Sequence, residues 1–264
     1  RAYHLLALDD PQIEAWFRLR AQWLIDNDES GRLSNHQALA ALALERVYKI
    51  TGDIQFQQAA AKRISKLLSW QSDEGWFDEY GGADPGYQTV TIDCLAKYRA
   101  MTGATWFDDA LERAVKFSHA FLHPDGSYGG PYGSRGTMHF YPHGFELLAG
   151  TNPTAATMAD GFLQALQHGT VACFDDDRLV AHRLGNLIEA YLDWQPEVPV
   201  GEETPSASPI EQFSKAGIWV RREPSTHTVI STARGGTFKH FAKSEHVTTD
   251  AGLIVETEDG RLAV

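Results

Sequence analysis

The sequence predicts a mainly α-helical fold: an incomplete α/α toroid of repeated helical hairpins, followed by an antiparallel β-sheet segment. Three observations support this fold class. The first part of the chain has the apolar periodicity of helices, and that part repeats itself at a fixed spacing. The last part alternates with the two-residue period of strands.

Two kinds of helix alternate in the first part of the chain. Residues 11–25 and 56–70 each have apolar side chains on one face and polar side chains on the other. Between them, residues 38–50 are apolar almost all round, which is typical of a helix that is buried on most sides. This alternation predicts an outer and an inner layer of helices.

The helical pattern recurs when the chain is shifted by 51 residues. The shift places His36 on Tyr87, Gln37 on Gln88, Thr51-Gly52 on Thr102-Gly103, Phe56 on Phe107 and Gly75 on Gly126. A match of this length at a fixed period indicates a repeated hairpin of one inner and one outer helix. A third, weaker unit begins near His139, and a fourth inner helix fits residues 179–194. A superhelical solenoid is the alternative to a toroid, because the sequence does not show whether the ring closes.

Loops that enter the inner helices of a toroid meet at one face of the ring. We therefore expect Asn35-His36, Gly86-Tyr87 and Met138-His139 to reach the same cleft, because they occupy equivalent places in successive units. The loop over residues 75–88 combines aromatics and carboxylates with glycines, a composition that suits a sugar-binding cleft. A structured turn with packed aromatics is the alternative interpretation of this loop.

The composition changes after residue 195. Residues 196–212 contain four prolines together with Ser, Glu and Gly, which predicts a linker. The predicted domains are a helical domain over 1–195, this linker, and the start of an antiparallel β domain over 213–264. Its predicted strands cover 217–221, 226–230, 237–241, 253–257 and 261–264. We expect the chain to be a fragment or a processed product, because its last strand runs to the final residue.

Composition and charge restrict the class of partner. The formal net charge of −12 argues against nucleic acid and against an anionic membrane surface, since both require a basic footprint. No apolar run reaches transmembrane length and the first residues do not form a secretory signal, so the location stays open between periplasm and cytoplasm. Cys94 and Cys173 are expected to be small core residues, not a disulfide framework.

Two short motifs and the sheet segment carry a family resemblance. Ser34-Asn35-His36-Gln37, Pro85-Gly86-Tyr87-Gln88 and the sheet segment from Ala216 onward resemble the heparinase II/III-like polysaccharide lyases, which include alginate and heparin lyases. The resemblance implies cleavage of a uronate-containing polysaccharide by β-elimination, without a cofactor. An anionic polysaccharide or oligosaccharide is therefore the expected partner; the oligomeric state stays open.

The resemblance also implies residue roles. In that family an Asn-His pair and a Tyr about one hairpin further on serve the elimination, and these roles would fall on Asn35, His36 and Tyr87. An amide and an imidazole can stabilise the charge that develops on the substrate carboxylate when the C5 proton leaves. A Tyr hydroxyl can take or give a proton if positive neighbours lower its pKa of about 10. Arg135 is the nearest candidate for that neighbouring charge, along with His139 and His143.

The candidate site residues form two groups. The catalytic candidates are Asn35, His36, Tyr87, Arg135 and His139. The substrate-binding candidates are Trp76, Tyr80, Asp84, Gln88, Tyr141 and His143. Each has a structural alternative, such as a helix cap for Asn35, a core aromatic for Tyr87 or a packed turn for the histidines.

Two other functions remain open. A glycoside hydrolase would place two carboxylates beside the scissile bond, and the candidate carboxylates are Asp73, Glu74, Asp78, Glu79, Asp84 and Asp125. A toroid that binds glycans without turnover would use Trp70, Trp76, Phe77 and Tyr80 as stacking platforms. No close ligand spacing predicts a metal site. His240 and His246 could reach the cleft as a second base or metal ligand, or lie on the surface.

Overall fold

The computed structural model describes residues 2–29, 31–172, 177–195, 210–242, 245–249 and 255–263. Its helices are α1 (Ala2–Leu5), α2 (Pro11–Asp26), α3 (Ser34–Thr51), α4 (Ile54–Leu68), α5 (Pro85–Thr102), α6 (Asp108–His119), α7 (His143–Ala149), α8 (Pro153–His168) and α9 (Asp177–Asp193). Its strands are β1 (Ile210–Phe213), β2 (Ile218–Glu223), β3 (Thr226–Ser231), β4 (Thr237–Ala242), β5 (Glu245–Thr249), β6 (Val255–Glu256) and β7 (Leu262–Ala263).

The helices form two layers, as the sequence predicts. The inner helices α3, α5, α7 and α9 pack side by side in that order, and the outer helices α4, α6 and α8 pack against them. The inner helix α5 is buried along most of its length, whereas α4 is buried on one face only. The arrangement is a fragment of an α/α toroid.

Repeated capping residues explain why the hairpins share one period. Helices α3 and α5 end at Gly52 and Gly103, which both adopt the left-handed backbone conformation that glycine tolerates best. The hydroxyls of Thr51 and Thr102 bond back to the carbonyl four residues earlier in each helix. The same Thr-Gly sequence therefore ends both inner helices in the same way.

The third inner helix differs from the prediction. Helix α7 begins at His143, not near His139, and has only seven residues. Residues 139–141 precede Pro142, and a proline disfavours the helical conformation in the residue before it. The segment before Pro142 is therefore free to run along the amino-terminal end of α5.

Charged side chains link three inner helices in the interior of the ring. Lys97 of α5 lies 2.8 Å from Asp93 and 2.9 Å from Glu189 of α9. His143 of α7 lies 2.7 Å from Asp193 of α9. The hydrogen bond with His143 and the Lys97 ammonium hold the pKa of Glu189 well below its usual range. The two ion pairs of Lys97 satisfy a charge that burial would otherwise penalise.

The sheet is an antiparallel meander in the order β1-β2-β3-β4-β5. Two of its strands differ from the prediction. Residues 210–212, which we assigned to the linker, belong to β1, and β5 was not predicted. β1 pairs along its length with β2, and this pairing extends the sheet beyond the predicted boundary. The rest of the predicted linker, 196–209, lies outside the described residues, as does Cys173.

The sheet packs against the ends of the outer helices. Phe213 meets Phe117 of α6 at a ring-centroid distance of 4.9 Å. Lys215 forms an ion pair of 2.8 Å with Asp73, and its backbone N–H donates to Glu74. These contacts place the sheet on the loops that lead from outer to inner helices. Within the described ranges, no helix is both long and apolar enough to cross a membrane.

Candidate active site

Gly86 allows two parts of the chain to meet at the start of α5. A Cβ atom at this position would lie 2.1 Å from Oγ1 of Thr137 and 2.9 Å from the backbone nitrogen of His139. Only glycine leaves room for such a close approach. The glycine of the Gly-Tyr motif therefore brings the segment that carries His139 next to Tyr87.

Asp84 fixes the same junction by hydrogen bonds. Its carboxylate caps α5 by accepting from the N–H of Tyr87 at 3.1 Å. It also accepts from the N–H of Arg135 at 2.9 Å and from the hydroxyl of Thr137. Because this carboxylate is 1% exposed and engaged on both oxygens, the predicted role of Asp84 in substrate binding does not fit. It shapes the loop instead.

Tyr87 and His139 lie side by side in the cleft that results. Their rings are 5.7 Å apart and nearly perpendicular. Tyr80 lies 6.2 Å from Tyr87 on the other side, and the guanidinium of Arg135 stacks over Tyr80 at 4.3 Å. Four of the residues singled out in the sequence thus form one group, which we call the tyrosine–histidine cluster: Tyr80, Tyr87, Arg135 and His139.

Arg183 of α9 also contacts the cluster, and it was not among the site residues predicted from the sequence. It is 2% exposed, and its guanidinium donates hydrogen bonds to Nδ1 of His139 and to the carbonyl of Ala172. It also lies 6.0 Å from the ring of Tyr141. Since a guanidinium can only donate, Nδ1 of His139 accepts, and the neutral ring carries its proton on Nε2.

The environment keeps both members of the central pair uncharged. Burial raises the pKa of Tyr87, and the charge of Arg135 opposes this only in part. Burial lowers the pKa of His139, and the positive charge of Arg183 lowers it further. The expectation that positive neighbours lower the pKa of Tyr87 is therefore wrong. Tyr87 is a phenol and His139 a neutral imidazole at neutral pH.

Glu79 connects the start of α3 to the cluster. Its carboxylate accepts from the backbone N–H of Asn35 at 3.0 Å, and its own backbone carbonyl accepts from the hydroxyl of Ser134. Burial raises the pKa of Glu79 to about 7, although the bond from Asn35 opposes the rise; the nearby carboxylates of Asp84 and Asp78 add to it. Asn35 is buried, and its Oδ1 has no hydrogen-bond partner in the described structure.

His36 points differently from its neighbour Asn35. Its ring is partly exposed, and Nδ1 lies 2.7 Å from the carboxylate of Glu29, in the loop before α3. Across the described ranges, no ring contact or hydrogen bond joins His36 to Tyr87 or His139. If the Glu29 carboxylate accepts a hydrogen bond from Nδ1–H, Nε2 of a neutral His36 keeps its lone pair.

Of the remaining substrate-binding candidates, some are partly accessible and others are buried in structural hydrogen bonds. Trp76 is partly buried and donates to Glu74 at 2.9 Å, and Tyr141 contacts His182 at 3.4 Å. Gln88 is buried, and both ends of its amide bond to the backbone of the preceding loop, at Phe77 and Gly75.

His143 is also buried, within the interior ion pairs. The predicted ligand contacts of Gln88 and His143 therefore do not fit their positions.

Each loop carboxylate that a hydrolase would use has at least one hydrogen-bond or ion-pair partner, although Oε1 of Glu79 has none in the described residues. Asp73 pairs with Lys215, Glu74 accepts from the backbone of the sheet segment, and Asp78 lies 3.5 Å from Arg32. Asp125 accepts from Ser127. Glu79 and Asp84 are buried among backbone donors. This arrangement does not favour two carboxylates acting on one glycosidic bond.

The sheet histidines do not extend the cluster. Nδ1 of His240 lies 2.7 Å from the hydroxyl of Thr228, a cross-strand neighbour in the sheet. The side chain of His246 lies outside the described residues. Throughout the described ranges, no group of three His, Cys, Asp or Glu side chains could hold a metal ion.

Comparison with solved structures gives a match for this architecture. The fold is similar to that of a polysaccharide lyase. One similar structure is a chondroitin AC lyase from Streptomyces coelicolor A3, determined as a tyrosine-to-alanine mutant, with a TM-score of 0.51 and 13% sequence identity. The match covers 84% of this chain and 37% of that enzyme, so the chain spans little more than a third of its length. At this identity the likeness concerns the fold alone.

Comparison of the sequence with protein families and curated proteins identifies no relative. No protein-family profile matches the chain, and no curated protein sequence matches it. The structural match supports a distant polysaccharide lyase-like fold, and the narrower resemblance to heparinase II/III-like lyases depends on the two short motifs.

Proposed function

We propose that this protein cleaves a uronate-containing polysaccharide by β-elimination, in the manner of the heparinase II/III-like lyases. The observation that carries the proposal is the pairing of the Tyr87 phenol with the neutral His139 imidazole, flanked by Arg135 and Arg183. In a chain of net charge −12, two arginines at one cleft create a local site for an anionic group. The lyase-like fold supports the same class of substrate.

The donors of the cleft would act on the substrate carboxylate. When the C5 proton leaves, negative charge spreads onto the carboxylate that C5 carries. Nε2–H of His139 and the amide of Asn35 can stabilise this charge by hydrogen bonds, and Arg183 supports His139 from behind. Arg135 lies at the cluster surface, where it can pair with an acidic sugar.

Two groups would handle the protons. The phenol of Tyr87 is protonated and can give its proton to O4 as the C4–O4 bond breaks. We assign removal of the C5 proton to Nε2 of His36, because the Glu29 carboxylate can hold a proton at Nδ1. The electron pair of the C5–H bond then forms the C4–C5 double bond. The products are a free O4 hydroxyl and an unsaturated uronate.

The test is turnover of uronate polysaccharides, followed by the ultraviolet absorbance of the new double bond. Tyr87→Phe should lower turnover by roughly 10²–10⁴-fold, the usual contribution of a general acid. Tyr191→Phe, at an exposed position on α9, is the matched control and should keep full activity. Reducing ends without absorbance would instead indicate a hydrolase, and binding of an intact glycan over long incubation would indicate a non-catalytic toroid.

A further inference from the structure

A cleft of about 310 Å³ lies where the sheet meets the end of α6, and the proposed reaction does not use its residues. One wall comes from His119 to Pro124, and the other comes from β2, β3 and the turn between them. Junctions between domains are frequent positions for ligand sites, and this volume suits a ligand of the size of a sugar unit.

Arg222 provides a positive charge in this cleft. One of its guanidinium nitrogens donates to the carbonyl of His119 at 2.5 Å. No carboxylate in the described part of the chain forms an ion pair with it. The adjacent acid, Glu223, is instead engaged by Arg221 and by the hydroxyl of Thr226. The cleft therefore offers a guanidinium with donors left for an anionic ligand.

His227 provides a polar atom without a partner. Its side chain is 3% exposed, and its Nε2 makes no hydrogen bond in the described structure. Burial lowers the pKa of His227 to about 3, so the ring is neutral. An unpaired buried polar atom is costly, and a ligand hydroxyl at Nε2 would remove that cost.

Part of the remaining lining is apolar and aromatic, and the turn between β2 and β3 adds the polar residues Glu223, Ser225 and Thr226. The rings of His123 and Phe241 stack at a centroid distance of 4.7 Å, and Leu122 and Pro124 extend the same wall. Apolar faces of this kind pack against the C–H face of a sugar ring. An anionic group, hydroxyls and an apolar face together describe an acidic sugar.

We propose that this cleft is a binding site for an acidic sugar unit, with its carboxylate or sulfate on Arg222 and a hydroxyl directed to His227. The choice of a sugar as the carrier of the anionic group rests on the proposed function. A site here would hold a segment of the polysaccharide on the sheet side of the protein, away from the interior ion pairs of the ring.

Binding can be measured without turnover, by NMR titration or calorimetry at constant ionic strength. The probes are methyl glucuronide, methyl glucoside and inorganic sulfate. We expect the glucuronide to bind tighter than either other probe and to shift the ring resonances of His227. Arg222→Gln should weaken glucuronide binding at least tenfold. Arg234→Gln, an exposed arginine in the turn between β3 and β4, is the control and should leave it unchanged.

Thermal melting of each variant controls for folding, because Arg222 also supports the end of α6. Arg222→Lys keeps the charge without the planar fork, so it should bind with an intermediate affinity. Equal glucuronide binding by Arg222→Gln and the natural protein would overturn the proposal. Equal binding of glucoside, or sulfate binding as tight as glucuronide, would overturn it too. Failure to cleave any polysaccharide would count against the proposed reaction and leave this result standing.

Discussion

Arg183 donates a hydrogen bond to Nδ1 of His139, although the two residues are 44 positions apart and belong to different units of the toroid. The bond decides which ring nitrogen carries the proton. It also places a buried positive charge behind the residue that would face the substrate. His139 is thereby specified as a hydrogen-bond donor, not as a base.

Removing the guanidinium should change how His139 titrates. Arg183→Met takes away a positive neighbour, so the pKa of His139 should rise toward its ordinary value, while burial still holds it down. Histidine NMR titration measures this directly, and the tautomer should lose its preference for Nε2–H. Arg183→Lys keeps a positive charge and is the control. An unchanged titration in Arg183→Met would contradict the assigned role.

Glu79 should make the protein less stable as the pH rises through neutrality. Its folded pKa of about 7 lies above the ordinary value of 4.5, so its protonated form is favoured by folding. The stabilisation is complete below about pH 4.5 and disappears as the pH passes 7. A shift of this size corresponds to roughly 3 kcal/mol at most.

Glu79→Gln should therefore flatten the dependence of unfolding free energy on pH between 5 and 8. Glu146, whose pKa burial also raises to about 7, would leave part of the slope in place. Glu112→Gln, at an exposed position on α6, is the control and should keep the slope of the natural protein. Denaturant unfolding at a series of pH values gives the answer. If the unfolding free energy of Glu79→Gln depended on pH as strongly as that of the natural protein, the Glu79 carboxyl would not titrate between pH 5 and 8.

Asp84 should matter for folding more than an ordinary helix cap. Asp84→Asn replaces one accepting oxygen by an amide that faces backbone N–H groups, in a site that is almost fully buried. We expect a loss of about 3 kcal/mol in unfolding free energy. Asp10→Asn, at the partly exposed cap of α2, should change stability by less than about 0.5 kcal/mol, since Asn caps nearly as well as Asp. Similar losses in the two variants would refute the special role of Asp84.

Gly86 should tolerate no side chain. In Gly86→Ala the new methyl group would overlap with the backbone at His139, so the loop must move and stability should fall by about 2 kcal/mol or more. Gly185 of α9 is the matched helical glycine, with open space around it. Gly185→Ala should stabilise the protein by about 0.5–1 kcal/mol. Both variants make the same glycine-to-alanine change, so the difference between their thermal stabilities measures the steric effect at Gly86. Unchanged stability in Gly86→Ala would disprove the close approach.

The layers of the fold could be predicted because each depends on local patterns. Apolar periodicity and the Thr-Gly helix ends identify α3 and α5, and two-residue alternation identifies β2, β3 and β4. The strands β1 and β5 escaped prediction because their sequences carry weak alternation and their pairing with β2 and β4 defines them.

The site was predictable only in part. The period of the repeat brings Tyr87 and His139 together, and the structure places them side by side. Asp84 and Gln88 were expected to contact substrate because their side chains are polar and lie in a glycine-rich loop. In the fold, backbone N–H groups of that loop and of the start of α5 need hydrogen-bond acceptors, and these two side chains accept from them. Arg183 was missed because its burial depends on how α9 packs.

The contacts that build the cluster have consequences for the order of folding. Asn35 and Glu79 are 44 residues apart, Asp84 and Thr137 are 53 apart, and His139 and Arg183 are 44 apart. Each contact spans about one repeat, so no single hairpin can form any of them, and loop-closure entropy opposes them until neighbouring hairpins dock. The helices should therefore gain protection from hydrogen exchange before the cleft does. The cleft is a late product of folding, and it reports whether successive units have been joined correctly.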